Sequence, residues 1–299
     1  MEAPTMTTTS RVRSLLWIAP TLILVIGLMY VPLLQNIRLS FFNWSIFDQE
    51  MNFVGWENYR QALVDPFLGT ALRNNIAYAA VSVVVQVGFG LVLASLLDRF
   101  ATGRLQGFLR SVYFLPATIS MTVTGVLFTF VYDPNVGILN AALEAVGLDF
   151  LTRAWLAEPS TAMGAIIAMS QWQWTGYITA LLLVAIQRIP ADLYEAASLD
   201  GAGPVRQFFA VTVPLTREMV AILSLVTVSN ALLLFNEVVV MTGGGPNNST
   251  QVLGTIVYQN AFVNDRMGYA ATMSTLVLAL TMTLGIVQMI WTRRKRVTL

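Results

Sequence analysis

Apolar residues in this chain do not alternate, nor do they recur every three or four positions. They run in long blocks. A helix needs about 20 residues, at about 1.5 Å each, to cross a hydrocarbon core of about 30 Å. Six blocks reach that length: residues 15–41, 71–97, 108–132, 161–186, 218–241 and 267–291. Hydrocarbon offers no partner for a free backbone amide, so the blocks predict helices and not open strands. The connections on one side, 43–70, 133–160 and 242–266, are long and aromatic. Those on the other side are short, except 187–217. No internal repeat or low-complexity tract appears, and residues 1–10 read as a disordered tail. The expected fold class is all-α polytopic. It divides into a tail (1–14), a first helix with its outer loop (15–70), a five-helix core (71–292) and a basic C-terminus (293–299).

Composition sharpens this picture. Only 11% of the 299 residues are charged, against about 25% in an ordinary soluble domain. A net charge of +1 lacks the basic excess of a nucleic-acid binder, so no nucleic acid is expected as a partner. The chain has no cysteine and no histidine. Disulfides, thiolate or imidazole metal sites and histidine bases are therefore excluded. Lys295 is the only lysine and follows Arg294, so the Gly-Lys-Ser/Thr loop that cradles nucleotide phosphates cannot be formed. If the work of this chain draws on ATP, another polypeptide hydrolyses it.

Twelve of the 17 basic residues, including Arg11, Arg13, Arg188, Arg206, Arg217 and the cluster Arg293 to Arg296, fall on the side that carries both termini. The positive-inside rule makes that side cytosolic. The first block, although preceded by Arg11 and Arg13, is too long for a signal peptide and is followed by no small-x-small site, so it reads as a retained span. Its prolines, Pro20 and Pro32, need neighbouring groups to satisfy the freed carbonyls.

Segment 187–217 is long for a helix connection, and its composition predicts order. Pro190-Ala191-Asp192 offers a helix start, and Ile189, Leu193, Tyr194, Ala197 and Leu199 give a partial apolar face. Gly201 and Gly203-Pro204 stop that helix, because glycine permits a left-handed cap and proline cannot continue it. A second short helix over 205–211 would carry Phe208 and Phe209 before Pro214 turns the chain into the next span.

This loop resembles that of binding-protein-dependent ABC importer permeases. Their pattern is Glu-Ala-Ala, three residues, Gly, nine residues and Ile-x-Leu-Pro. Glu195-Ala196-Ala197, Gly201 and Pro214 fall in register, with Val211 and Val213 in place of Ile and Leu. Further segments are similar to carbohydrate-uptake members of the family, the maltose-type or glycerol-phosphate-type first permease. They are Phe53-Val54-Gly55-Trp56-Glu57-Asn58-Tyr59, Leu115-Pro116-Ala117-Thr118-Ile119-Ser120 and Thr242-Gly243-Gly244-Gly245-Pro246. The resemblance implies a six-helix type I importer permease fold in the cell (inner) membrane. It implies that Glu195, Ala196, Ala197, Gly201 and Pro214, with neighbouring Asp200, couple to an ATPase. The implied partners are a second homologous permease, an ATPase dimer holding ATP and Mg, and an extracytoplasmic sugar-binding protein. This chain itself would bind no cofactor and catalyse no covalent step.

A sugar needs aromatic faces for its C–H surfaces and amides or carboxylates for its hydroxyls, and polar groups inside a bilayer generally face a cavity or another helix. The fourth block offers Ser170-Gln171-Trp172-Gln173-Trp174-Thr175-Gly176-Tyr177, and the fifth offers Asn230 and Asn236-Glu237. By the resemblance, Ser170 and Tyr177 fall at pore-facing positions and Asn230 in a sugar-contacting stretch, while Leu234 replaces a polar residue. Two readings stay open for Trp172 and Trp174: lining a cavity, or packing in an aromatic belt or against a partner. Glu237 either binds a hydroxyl or reaches water near the outer mouth. Gln86 and Asn140 read as packing or loop groups.

Glycerol-3-phosphate or a related polyol phosphate is the alternative cargo. An anion would call for arginine at mid-membrane depth, and none is placed there. An ion-coupled transporter would leave the cytosolic loop without a use, and an intramembrane enzyme would lack a catalytic constellation.

Overall fold

The computed structural model describes residues 8–47, 50–100 and 103–294. The first seven residues of the expected tail, and Lys295 and Arg296 of the basic C-terminus, lie outside the described residues. Among the described residues, four helices are long and apolar enough to cross a membrane singly: Trp17–Leu39, Pro66–Phe100, Pro204–Leu232 and Met267–Gln288. Two bent pairs, Gly107–Thr118 with Met121–Val131 and Ala162–Ile186 with Ala191–Leu199, bring the number to six if each pair is one span.

Three of the expected elements differ in detail. The third span is broken by a 96° bend between Thr118 and Met121. Pro116 lies near the end of the leg Gly103–Thr118, and the break leaves the Ile119 carbonyl to be satisfied from elsewhere. The fifth span does not run over 218–241. Its helix begins at Pro204, ends at Leu232 and resumes as the short helix Asn236–Met241. In between, Phe235 adopts φ −152°, ψ −60°, outside helical values. The separate helix expected over 205–211 merges into this span, and Pro214 does not turn the chain.

Pro214 stays helical because a π-helical stretch, Phe208–Thr212, precedes it. Proline lacks an N–H and crowds the carbonyl four residues back, and a widened turn relieves that crowding. The first span repeats the device, with π-helical Ile26–Tyr30 ahead of Pro32.

The chain forms two compact units. One comprises residues up to 64 with 257–276. Its first span buries none of its apolar window, so that surface is left for lipid or another chain. Beyond it, Phe42–Asn43 pairs antiparallel with Asn52–Phe53, and helix Glu57–Val64 follows. Buried Asn58 ties this hairpin down by donating to the carbonyls of Ser40 and Phe42, each at 3.0 Å. Gly268 passes so close to Phe42 that a Cβ there would lie 1.9 Å from the Phe42 carbonyl oxygen.

The other unit comprises 65–256 with the last residues from 277 onward. Asp65 caps its first helix by accepting from the Phe67 amide at 2.9 Å, with Pro66 in the first turn, where the absent N–H costs nothing. That helix continues to Phe100, about 50 Å of rise, so it projects beyond the bilayer core. Its core has two apolar clusters. One gathers Tyr78, Ile166, Met169, Val238 and Val252, and the other Val87, Leu91, Leu182, Leu183 and Leu223.

Candidate functional site

Two places carry the residues expected from sequence to matter: the loop after the fourth span, and the polar, aromatic stretch within that span. The loop helix runs Ala191–Leu199 with Asp200 as its last cap residue. Gly201 then takes φ +76°. Its amide donates to the Ser198 carbonyl at 3.0 Å, and the Ala202 amide to the Ala197 carbonyl at 2.9 Å. These are the two bonds of a Schellman cap. A Cβ on Gly201 would meet nothing within 4 Å, so glycine is needed for the backbone conformation and not for room. Gly203 and Pro204 start the following helix at once.

Glu195, Ala196, Asp200, Gly201 and Pro214 are exposed, and Ala197 is half-buried. Leu199 is 89% exposed and Val205 71%, an apolar pair flanking the glycine turn. A cavity of about 930 Å³ opens beside them, lined by Leu96, Phe100, Tyr194, Val205, Phe208 and Phe209 among others.

The stretch within the fourth span is divided by its own helical periodicity. Ser170 is fully buried and hydrogen-bonds the Tyr78 hydroxyl, so in this conformation it has no face left for a ligand. Gln173 is also fully buried and donates to the Ile119 carbonyl at the bend of the third span. Gln171 donates to Ser82 Oγ at 3.2 Å and to the Ile167 carbonyl at 2.9 Å. Both glutamines, read from sequence as groups offered to a sugar, therefore serve helix packing.

Trp172 and Tyr177 remain open, 45% and 39% exposed. Trp172 packs on Phe128 at 5.3 Å between centroids. Tyr177 packs on Phe114 at 6.2 Å and meets half-buried Trp174 edge-on at 6.3 Å. Each exposed ring is thus steadied from behind by the third span. Asn230 and Asn236 are exposed and Glu237 is half-buried, on either side of the break in the fifth span, whereas Leu234 is buried at 2%.

The segment 133–160 is built on polar side chains. Asn140, expected as a loop group, accepts from Trp155 Nε1 at 2.7 Å and donates to the Arg153 carbonyl at 3.0 Å. Asp133 accepts from the amides of Val136 and Asn135. Those two bonds, Val136's first, hold its carboxyl below the usual carboxylate range.

An exposed, glycine-capped loop helix and a set of exposed rings stand on a bundle of broken spans. Residues 86–297 match the model of the family described as "Binding-protein-dependent transport system inner membrane component". The chain belongs to that family. It is 47% identical over 274 residues to the "Probable ABC transporter permease protein YurN" of Bacillus subtilis (strain 168), covering 92% of this chain and 94% of that protein. It is 31% identical over 269 residues to the "Multiple sugar-binding transport system permease protein MsmF" of Streptococcus mutans, covering 90% of each. A chain in the crystal structure of a bacterial alginate ABC transporter, in complex with an alginate pentasaccharide-bound periplasmic protein, superposes with a TM-score of 0.82 at 20% identity over 93% of each chain. The two share a fold.

This ABC importer permease also depends on residues that sequence reasoning passed over. Asn75 is fully buried; it donates to the Ala231 carbonyl at the break in the fifth span and accepts from the Leu253 amide at 2.9 Å. Its neighbour Asn74 donates to the carbonyls of Ser249 and Gln251, each at 2.8 Å. Tyr78, Arg99 and Gln207 join polar groups across helices in the same way. The available signal was polar type inside or beside an apolar block.

Proposed function

We propose that this permease forms half of the translocation pathway of an ATP-driven carbohydrate importer. A second, homologous permease would supply the other half. Two separate ATPase subunits, holding ATP and Mg, would drive it from the cytosol, where both termini lie. One of them would grip the turn around Gly201, with Glu195, Ala196, Ala197 and Asp200 on the gripped helix and Pro214 at the root of the fifth span. The observation that carries this reading is the exposed, Schellman-capped helix Ala191–Leu199 with Leu199 bare beside it. It stands in a chain that has no phosphate-binding loop of its own.

A sugar-binding protein would dock on the outer segments after the first, third and fifth spans. The alginate importer's periplasmic protein and the sugar-binding name of the streptococcal relative support both this partner and the cargo class. Trp172 and Tyr177 offer exposed rings to sugar C–H faces, with Trp174 behind them, and Asn230, Asn236 and Glu237 offer groups for hydroxyls. Ser170 would contribute only if it parts from Tyr78. The fourth helix, Ala162–Ile186, carries no cation, which favours neutral sugars over a polyol phosphate. Binding protein and ATP together would shift the population toward an outward-open state.

The test is uptake of labelled neutral disaccharides and oligosaccharides by the reconstituted four-subunit complex with its binding protein. Uptake should require ATP and disappear in Gly201→Trp. Normal ATP-dependent uptake in Gly201→Trp overturns the coupling assignment, and uptake without any ATPase subunit overturns the whole reading.

A further inference from the structure

Gln207 ends the first turn of the helix that leads from the loop into the fifth span. It is 5% exposed. Its Oε1 accepts from Arg99 Nη1 at 2.8 Å. Its Nε2 donates to Ser198 Oγ at 2.7 Å and to the Ala202 carbonyl at 3.0 Å. Arg99 belongs to the last turn of the second span, Ser198 to the last turn of the loop helix, and Ala202 follows the glycine cap. One carboxamide therefore joins three elements, and the bond to the guanidinium is of the stronger, charge-assisted kind.

A second tie, between the Tyr194 hydroxyl and Thr212 Oγ1 at 2.9 Å, fixes the loop helix to the fifth span further along. The cavity of about 930 Å³ lies among these same elements, so the polar junction bridges space that side-chain packing leaves unfilled. Just beyond Gln207 come the π-helical stretch and Pro214, where the fifth span is widened and short of one backbone hydrogen bond.

We propose that Gln207 is a positioning residue. It locks the loop helix, the root of the fifth span and the cytosolic end of the second span into one lever. A push on the turn at Gly201 then reaches the second span directly, as well as the fifth. This rests on the reading that an ATPase grips the loop, and it adds the route by which the push spreads.

The chain has no cysteine, so Phe100→Cys and Ala191→Cys place one spin label on the second span and one on the loop helix without background from this chain, which is labelled before assembly with its partners. Distances are measured by pulsed electron resonance in the assembled complex, with and without ATP and vanadate. The expected wild-type result is one narrow distribution that nucleotide does not move. Gln207→Leu keeps the bulk, removes the bonds and should broaden that distribution and make it shift with nucleotide. Gln207→Glu keeps an acceptor for Arg99 but loses the donor to Ser198 and Ala202, so it should loosen the pair as well. If Gln207→Leu does not accumulate, Arg99→Leu decides by the same measurement, since it leaves the Gln207 donor paired. A wild-type distance that moves with nucleotide overturns the lever. So does an unchanged distribution in the variants. Failure of the ATPase to co-purify with the wild-type chain overturns instead the reading beneath it.

Discussion

Gln173 on the fourth span donates its side-chain nitrogen to the carbonyl of Ile119 at 3.0 Å, across the bend in the third span. A 96° break inside an apolar block frees backbone groups that lipid cannot satisfy, and this glutamine answers one of them. Gln173→Leu should leave that part-buried carbonyl unpaired and destabilise the protein by about 1–3 kcal/mol. The measurement is the midpoint of thermal unfolding of the purified complex in detergent; an unchanged midpoint would mean that the bend holds without this bond.

Two glycines of the same helix should respond in opposite ways. A Cβ at Gly176 would lie 1.7 Å from the Tyr113 carbonyl oxygen, whereas at Gly164 it would meet nothing within 4 Å. Gly176→Ala forces the third and fourth spans apart, at a cost of about 1–3 kcal/mol or more. Gly164→Ala should be neutral or gain up to about 1 kcal/mol from helix propensity. Expression level and unfolding midpoint compare them directly, and equal behaviour of the two would contradict the close approach at Tyr113.

At Gly201 conformation can be separated from contact. Open space and φ +76° predict that Gly201→Ala costs about 1–2 kcal/mol in the cap. Gly201→Asn, which tolerates the left-handed region, should cost less. ATP hydrolysis stimulated by the binding protein should therefore rank wild type, Asn, Ala and Trp in descending order. A ranking by side-chain size alone, with Ala above Asn, would show that docking clearance and not backbone shape governs this turn.

Trp172→Ala and Tyr177→Ala should raise the half-saturating concentration of sugar-loaded binding protein for uptake. The basal ATPase rate should stay as it is, because neither ring touches the loop. A stacking contact between a ring and an apolar face is worth about 1 kcal/mol, so each change should be several-fold. Loss of basal ATPase activity in either variant would place these rings in helix packing and remove them from the pathway.

Much of this architecture was legible as sequence, and what was not has a common cause. Apolar block length located the candidate spans, because bilayer thickness sets it, but not the short helices within the connections, such as Ile138–Ala145 and Leu253–Tyr258. The glycine cap at 201 was legible because one residue decides the backbone there. The fate of Pro214 was not, since proline ends a helix unless a widened turn precedes it, and nothing in Phe208 to Thr212 announces that turn. Nor could sequence divide residues 170–177 into an exposed and a buried set. Gln171 and Gln173 resemble sugar ligands as readily as helix clamps, and only the position of Ser82 and of the Ile119 carbonyl decides between them. The roles of Asn75, Arg99 and Gln207 were hidden for the same reason: polar type was the only signal, and each role is set by partners on other elements.

The contact of Gly268 with the Phe42 carbonyl has a hereditary consequence. Any coding change there adds a methyl group or more where an oxygen already stands, so the position is closed to mutational drift for as long as this hairpin keeps its place. An open glycine such as Gly164 can gain a methyl group without a clash, yet at this one descendants of the gene must inherit the smallest residue or rebuild the crossing. A lineage carrying alanine at 268 beside an intact hairpin would refute it.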